Sequence, residues 1–291
     1  MQRSFNLLHT RNNKMVKRKI IRKYAVFGNP IKHSLSPLIH KYFAKEFNID
    51  LSYEPILGSI ENFQVEAKEF LINGGLGFNI TLPFKQEAFN MALTHSKVAE
   101  ITKSVNTISL KDGVIHGDNT DGSGFIKDLK NNKGYQLQNK KVLLVGAGGA
   151  AMGVIPNILY ESPKILSIHN RTFSKAEKLA NALTSFGNIK AISETDIIKE
   201  KYDLIINATS IGISNLEFKL TNKIIHKNSV CYDMSYGKAS NSFEKWATQN
   251  NLIFHNGLGM LLEQAADAFL IWESQRPSVT EELKKILEDN L

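Results

Sequence analysis

A short glycine-rich segment constrains the fold of this chain more than any other feature. It reads Val142-Leu143-Leu144-Val145-Gly146-Ala147-Gly148-Gly149-Ala150-Ala151, so four apolar residues stand directly before a glycine-rich turn. Such a run predicts a buried strand that turns tightly into a helix, whose first backbone N–H groups face a pyrophosphate. We therefore expect a doubly wound α/β domain with dinucleotide contacts at Gly146, Ala147, Gly148, Gly149 and Ala150.

A polar segment further along the chain indicates which dinucleotide is bound. Proteins that bind NAD usually place Asp or Glu about 20 residues after the glycines, where it holds the ribose 2′-hydroxyl. This chain has Asn170, Arg171 and Thr172 there instead. Because a guanidinium and neutral donors suit a 2′-phosphate, the segment predicts NADP as the cofactor.

The pattern of apolar residues predicts two α/β units. We expect the first to contain strands at 24–28, 51–56, 77–81, 105–110 and 114–116, and helices at 36–47, 61–73, 84–92 and 95–101. We expect the second, after a linking helix at 124–130, to contain strands at 142–145, 165–169, 188–192, 203–207, 229–233 and 252–254, and helices at 149–160, 174–185 and 241–250. Pro156 predicts a kink or local break in its helix.

Two helices, predicted at 259–273 and 278–289, follow the second unit and are expected to fold back on the first. This organisation predicts three regions. They are a basic extension at 1–23, a substrate-binding domain at 24–122 plus 259–291, and an NADP-binding Rossmann domain at 123–258.

The positive charge of the chain is concentrated at its N-terminus. The formal net charge is +8, and residues 1–23 contain eight Lys or Arg and no Asp or Glu. The remaining body is therefore near neutral, which argues against a nucleic-acid partner. The basic segment has three interpretations: a targeting peptide, a nucleic-acid-binding tail, or an unstructured extension upstream of a second possible start at Met15. The last is favoured.

Composition excludes several other classes of protein. Cys231 is the only cysteine, so no intrachain disulfide can form, and no Cys/His spacing indicates a zinc site. No apolar run approaches the roughly 18 residues of a membrane span. We expect a cytoplasmic protein with no metal and no membrane partner.

Polar residues follow the predicted strands of the first unit. Ser34 and Ser36 stand beside the start of a helix, where a carboxylate binds well, although Ser36 could serve only as the N-cap, with Pro37 as the first helical residue. The string Asn79-Ile80-Thr81-Leu82-Pro83-Phe84-Lys85 combines an amide, a hydroxyl and an amine. Alone, Lys85 would more often be a solvated surface charge.

Two further polar strings complete the set of candidates. Asn106 lies in Val105-Asn106-Thr107, and two carboxylates lie in Gly117-Asp118-Asn119-Thr120-Asp121-Gly122. Asp118 and Asp121 could equally be ordinary turn residues beside glycine.

Taken together and in this order, these strings resemble the shikimate dehydrogenase family. The resemblance covers nearly the whole chain after residue 23. The matching segments are 28–40, 77–85, 104–107, 117–122, 146–151, 170–172, 207–212, 232–237 and 257–269.

The resemblance implies an NADP-dependent oxidoreductase of aromatic amino-acid and chorismate biosynthesis, which interconverts 3-dehydroshikimate and shikimate by hydride transfer. It also implies that Lys85 and Asp121 form the catalytic pair. Reduction of a ketone builds negative charge on oxygen, which an ammonium group can stabilise and protonate. The implied substrate-binding residues are Ser34, Ser36, Thr81, Lys85, Asn106, Asp121, Tyr236 and Gln264.

On the cofactor side, the resemblance adds residues that would contact the adenosine or nicotinamide groups. They are Thr209, Met234, Gly257 and Met260, of which the two methionines could simply be core residues. Where family members with a strong NADP preference often have a second arginine, this chain has Lys175, which lacks the planar guanidinium. We expect the preference for NADP to remain but to be less sharp.

Two alternatives stay open from the sequence. One is a quinate/shikimate dehydrogenase with relaxed cofactor use, against which Arg171 argues. The other is a non-catalytic NADP-binding regulator, against which the presence of both Lys85 and Asp121 argues. A monomer and a homodimer are equally compatible with the sequence.

Overall fold

The computed structural model describes residues 21–212, 214 and 216–291. The basic extension expected at 1–23 therefore lies outside the described residues except for 21–23. Within the described part of the chain, no helix is both long and apolar enough to cross a membrane. No group of three or more His, Cys, Asp or Glu in that part is placed to hold a metal ion.

The first unit is a mixed sheet with helices on both faces. Its elements are β1 (Arg22–Gly28), α1 (Ser36–Glu46), β2 (Leu51–Leu57), α2 (Phe63–Ile72), β3 (Gly75–Ile80), α3 (Lys85–Met91), β4 (Thr94–His95), α4 (Lys97–Thr102), β5 (Thr107–Lys111) and β6 (Val114–Asp118). The strand order is β2-β1-β3-β5-β6-β4. β1 is parallel to β2 and β3, whereas β5 is antiparallel to β3.

The second unit is a sheet in which every strand pairing is parallel, as predicted for a doubly wound dinucleotide domain. Its strand order is β12-β11-β10-β7-β8-β9. The elements are β7 (Lys141–Val145), α6 (Gly149–Tyr160), β8 (Ile165–His169), α7 (Phe173–Leu183), β9 (Ile189–Ala191), α8 (Glu194–Ile197), β10 (Leu204–Asn207), β11 (Val230–Asp233), α9 (Asn241–Gln249) and β12 (Ile253–His255).

The four apolar residues before the glycine turn are buried because β7 is central in this sheet. Val142 and Leu144 join the core on one face, and Leu143 and Val145 join the core on the other. Covering both faces of a parallel strand requires such a continuous apolar run.

Three further helices complete the described architecture. They are α5 (Asp121–Lys127), which continues into a π-helical turn at Asp128–Asn132, α10 (Leu258–Glu273) and α11 (Glu281–Glu288). α10 packs against α5 and α1, and Leu283 and Leu287 of α11 join the same apolar cluster as Phe43 of α1. The C-terminal helices thus return to the first unit, as predicted.

Several expected boundaries were wrong. Ser36 is the first residue of α1 rather than its N-cap, which is Leu35, and the Ser36 N–H donates to Ser34 Oγ at 3.3 Å. The helix expected at 124–130 begins at Asp121, because the Asn119 side chain accepts the otherwise free N–H of Asp121 at 3.0 Å.

Other differences also follow from local hydrogen bonding and packing. The helix expected from 95 begins at Lys97, where Ser96 caps it, and the helix expected from 278 begins at Glu281 after the Thr280 cap. α6 runs without a break through Pro156, whose neighbours Val154 and Ile155 are fully buried, so packing overrides the lost hydrogen bond.

Candidate active site

The structure brings Lys85 and Asp121 together as an ion pair. Lys85 is the first residue of α3, shortly after β3, and Asp121 is the first residue of α5. Lys85 Nζ lies 2.6 Å from Asp121 Oδ2. The Asp121 side chain is 4% exposed and that of Lys85 is 20% exposed, so the carboxylate is enclosed while the lysine is partly accessible to solvent.

Asn106 fixes the second oxygen of this carboxylate. The Thr120 backbone N–H donates to Asn106 Oδ1 at 2.9 Å, which turns the amide nitrogen towards Asp121. Asn106 Nδ2 then donates to Asp121 Oδ1 at 2.9 Å and to Gln264 Oε1 at 3.2 Å. Asp121 therefore accepts at both oxygens, and α10 contributes Gln264 to the same group.

Glycines allow α5 to lie unusually close to its neighbours. A Cβ at Gly153 of α6 would lie 2.9 Å from Asp121 Oδ2, and a Cβ at Gly124 of α5 would lie 2.7 Å from the Gln264 backbone nitrogen of α10. Close approach of this kind is possible only without a side chain. As a result, Asp121 stands between the helix after the glycine turn and the loops of the first unit.

The other expected substrate contacts lie in loops and helix ends around this pair. Ser34 and Ser36 are partly buried at the start of α1. The Thr81 side chain lies beside Gly28, where β3 and β1 end. Burial raises the pKa of Tyr236, which keeps its hydroxyl protonated. Within residues 21–212, 214 and 216–291, none of these four side chains bonds to Lys85 or Asp121.

The glycine turn is shaped to receive a phosphate. Gly146 has φ +116°, and a Cβ there would lie 2.8 Å from the Ala208 carbonyl oxygen. Gly148 is the N-cap of α6 and, like Gly149, has no heavy atom near its Cβ position. No side chain caps this helix, so its first N–H groups remain available to a pyrophosphate.

The segment after β8 presents cations without acidic partners. Asn170 Nδ2 donates to the Thr172 carbonyl oxygen at 2.9 Å, which shapes the loop, and the Arg171 side chain is exposed. Neither Arg171 nor Lys175 forms an ion pair with any described residue. Lys175 lies in the first turn of α7, which contains no acid, so the positive end of the helix adds to the attraction for an anion.

The remaining expected cofactor contacts follow β10, β11 and β12, except Met260, which lies in α10. Thr209 Oγ1 donates to Asn207 Oδ1 at 2.7 Å, and a Cβ at Gly257 would lie 2.3 Å from the Met234 carbonyl oxygen. Met234 is partly buried, but Met260 is 5% exposed and belongs to the core of the second unit. The packing of Met260 leaves its expected cofactor contact a prediction.

Sequence reasoning missed the polar residues that support the pair from inside the first unit. They are Tyr53, Asn79, Thr107, Asn119 and Thr120, all of which hydrogen-bond to one another or to Asn106 and Asp121. All of these except Tyr53 stood in the polar strings of the sequence, and for Asn79 and Thr107 their position within strands was the available signal.

Comparison with known proteins identifies the same family in both units. Residues 26–108 match the family model described as shikimate dehydrogenase substrate binding domain, and residues 128–235 match that of shikimate / quinate 5-dehydrogenase. The chain is 44% identical over 273 residues to a shikimate dehydrogenase (NADP(+)) of Vibrio campbellii, covering 92% of this chain and 98% of the relative. It is 47% identical over 261 residues to one of Shewanella halifaxensis, covering 88% and 92%.

A solved structure shows the same architecture. Shikimate 5-dehydrogenase from Thermus thermophilus, in complex with NADP(H) and shikimate, superposes with a TM-score of 0.83 at 27% identity, covering 93% of this chain and 100% of that one. Sequence match, fold and the Lys85–Asp121 geometry thus agree, and this chain belongs to the shikimate dehydrogenase family.

Proposed function

We propose that this chain catalyses the reversible, NADP-dependent reduction of 3-dehydroshikimate to shikimate. Support comes from the relatives named for this activity and from one observation in the site. That observation is the enclosed Lys85–Asp121 ion pair, which stands between the open glycine turn and the polar loops of the first unit. The pair differs from the surface ion pair Lys141–Glu200, also 2.6 Å long, because the Asp121 side chain is only 4% exposed whereas that of Glu200 is 32% exposed.

The ion pair supplies the acid–base part of the reaction. Bound NADP would supply the hydride-transfer chemistry at substrate C3. Lys85 Nζ stabilises the negative charge that develops on the substrate oxygen and exchanges a proton with it. Asp121 accepts hydrogen bonds from Lys85 and Asn106, so it orients the ammonium group.

Polar side chains around the pair would fix the substrate. Ser34 and Ser36 lie at the N-terminus of α1, where hydroxyl donors and the helix dipole favour the substrate carboxylate. Thr81, Asn106, Tyr236 and Gln264 offer neutral donors and acceptors suited to ring hydroxyls. Gln264 already bonds to Asn106, so both amides can face one substrate hydroxyl.

The second unit would hold the cofactor along the carboxyl ends of its strands. The pyrophosphate fits the N–H groups at Ala147, Gly148, Gly149 and Ala150, next to Gly146, whose own N–H donates to the His169 carbonyl oxygen at 2.8 Å. The 2′-phosphate fits the loop with Asn170, Arg171 and Thr172 and the nearby Lys175. Thr209, Met234, Gly257 and Met260 would contact the adenosine or nicotinamide groups, and Met234 packs against the apolar cluster that contains Met260.

We also propose the domain boundaries, the oligomeric state and the cellular location of the protein. The substrate-binding domain comprises 24–122 plus 259–291, and the NADP-binding domain comprises 123–258. The protein works as a monomer or a homodimer. The single buried cysteine, Cys231, is compatible with a reducing, cytosolic location.

Steady-state kinetics with two substrates and two cofactors test the function. We expect the highest kcat/KM for shikimate with NADP, and lower values for quinate and for NAD. A higher kcat/KM for quinate with NAD would favour a quinate/shikimate dehydrogenase. Absence of turnover in every combination, with NADP still bound, would support the non-catalytic regulator.

A further inference from the structure

A chain of hydrogen bonds runs through the interior of the first unit to the ion pair. It begins at Tyr53 in β2, whose hydroxyl donates to Asn79 Oδ1 at 2.8 Å. Asn79 Nδ2, in β3, donates to Thr107 Oγ1 at 3.1 Å. Thr107 is the residue opposite Asn79 on the antiparallel strand β5.

The same chain of hydrogen bonds continues from Thr107 to the Lys85–Asp121 pair. Thr107 Oγ1 donates to Asn106 Oδ1 at 2.9 Å, and Asn106 Nδ2 donates to Asp121 Oδ1 at 2.9 Å. Asp121 Oδ2 then accepts a hydrogen bond from Lys85 Nζ at 2.6 Å. Every link after Asn79 is enclosed, since Thr107, Asn106 and Asp121 are 0%, 4% and 3% exposed.

The direction of donation along this chain is determined by a backbone group. Asn79 Nδ2 also donates to the Asn106 carbonyl oxygen at 3.2 Å, and a carbonyl can only accept. Asn79 Oδ1 must therefore face Tyr53, whose hydroxyl must donate. Burial raises the pKa of Tyr53, with the hydrogen bond to the Ser36 side chain partly opposing it, so the hydroxyl keeps the proton it donates.

Thr107 consequently has a single possible role. Its oxygen accepts the N–H of Asn79, so its only proton is directed to Asn106 Oδ1. A reversed Asn106 amide would place its oxygen against the Asp121 carboxylate and lose the bond from Thr107. Water cannot replace these partners in an enclosed network, so each donor contributes to holding the amide in place.

We propose that Thr107 and Tyr53 are positioning residues of the reaction, which act through Asn79 and Asn106 to set the place of the Asp121 carboxylate and hence of Lys85. This inference rests on the proposed function, because it concerns the efficiency of the same catalytic pair. Neither side chain contacts the ion pair directly, so both act through the intervening amides.

Two variants at Thr107 test the inference, measured by steady-state kinetics with shikimate and NADP. Thr107→Val keeps the shape of the side chain and removes the hydroxyl, whereas Thr107→Ser keeps the hydroxyl. We expect Thr107→Val to lower kcat about 10- to 100-fold while both KM values change less than about threefold, because displacement of a catalytic group costs rate more than binding. Thr107→Ser should retain kcat within about threefold of the wild type.

The outcomes separate positioning from mere stability. Equal kcat values for Thr107→Val and Thr107→Ser would overturn the inference, and so would a rise in both KM values as large as the fall in kcat. If Thr107→Val does not fold, Tyr53→Phe decides, since it keeps the stacking of the ring on His40 at 4.3 Å. An unchanged kcat in a folded Tyr53→Phe overturns the inference, and a fall beyond about threefold supports it.

The failure of this inference differs from the failure of the proposed function. The first would leave wild-type turnover of shikimate with NADP intact and remove only the difference between the variants. The second would remove wild-type turnover itself.

Discussion

Gly153→Ala should displace the Asp121 carboxylate without disturbing the fold. The added Cβ would lie 2.9 Å from Asp121 Oδ2, the oxygen that receives Lys85 Nζ at 2.6 Å. The carboxylate must retreat by about 0.5 Å to restore an ordinary van der Waals separation. Since a misplacement of about 1 Å can cost about 100-fold in rate, we expect kcat with shikimate and NADP to fall about 10-fold.

The free energy of unfolding of Gly153→Ala should change little, although its kcat should fall. Alanine is favoured over glycine inside a helix by about 1 kcal/mol, which offsets part of the contact, so the free energy of unfolding should change by less than about 1 kcal/mol. Gly187→Ala is the matched control, because its Cβ would meet only the Leu159 side chain, at 3.3 Å. A kcat for Gly153→Ala within twofold of the control would refute the reasoning about Asp121.

Two further predictions concern the second unit. Arg171→Ala should raise the steady-state KM for NADP about 10- to 100-fold, because one charge-assisted contact with the 2′-phosphate is lost. The KM for NAD, which lacks this phosphate, should stay nearly unchanged. Equal changes in the two KM values would exclude the phosphate contact. Burial raises the pKa of Asp233 from 3.8 to about 6, so the native state retains this proton to higher pH, and the contribution of Asp233 to stability falls by about 2 kcal/mol as the pH rises from about 4 to about 7. Urea titrations at those pH values should show Asp233→Asn gaining that amount relative to the wild type, and a constant difference would contradict the burial argument.

Local sequence patterns predicted the second unit well. Four apolar residues before Gly146 are required when both faces of a parallel strand are covered, and β7 is such a strand. The positive φ of Gly146 and the open space at Gly148 follow from the same short motif. These features are determined by residues close together in the sequence, so a local sequence pattern can predict them.

The start of α5 could not be predicted in the same way. Its early beginning at Asp121 depends on side chains of Asn119 and Asn106, and Asn106 is brought there only by the pairing of β5 with β6. Likewise, Gln264 is brought to Asn106 only by the packing of α10 against α5. Contacts between distant segments leave no periodicity in the sequence.

The supporting network illustrates the same limit. Tyr53, Asn79 and Thr107 come from three strands, and buried strands normally contain apolar residues. Their polar character was visible in the sequence, but their mutual orientation depends on sheet order and register. The family resemblance named the residues that would meet the substrate and did not name those that hold them.

The rate of NADPH formation in a single turnover of Lys85→Ala with shikimate tests the central claim most directly. Removal of the ammonium takes away acid–base assistance, so the rate should fall by about 100-fold or more while NADP binding stays unchanged. Lys111→Ala, at an exposed end of β5, is the control and should match the wild type. A Lys85→Ala rate within a few-fold of the wild type would contradict the assignment of the Lys85–Asp121 pair as the catalytic group.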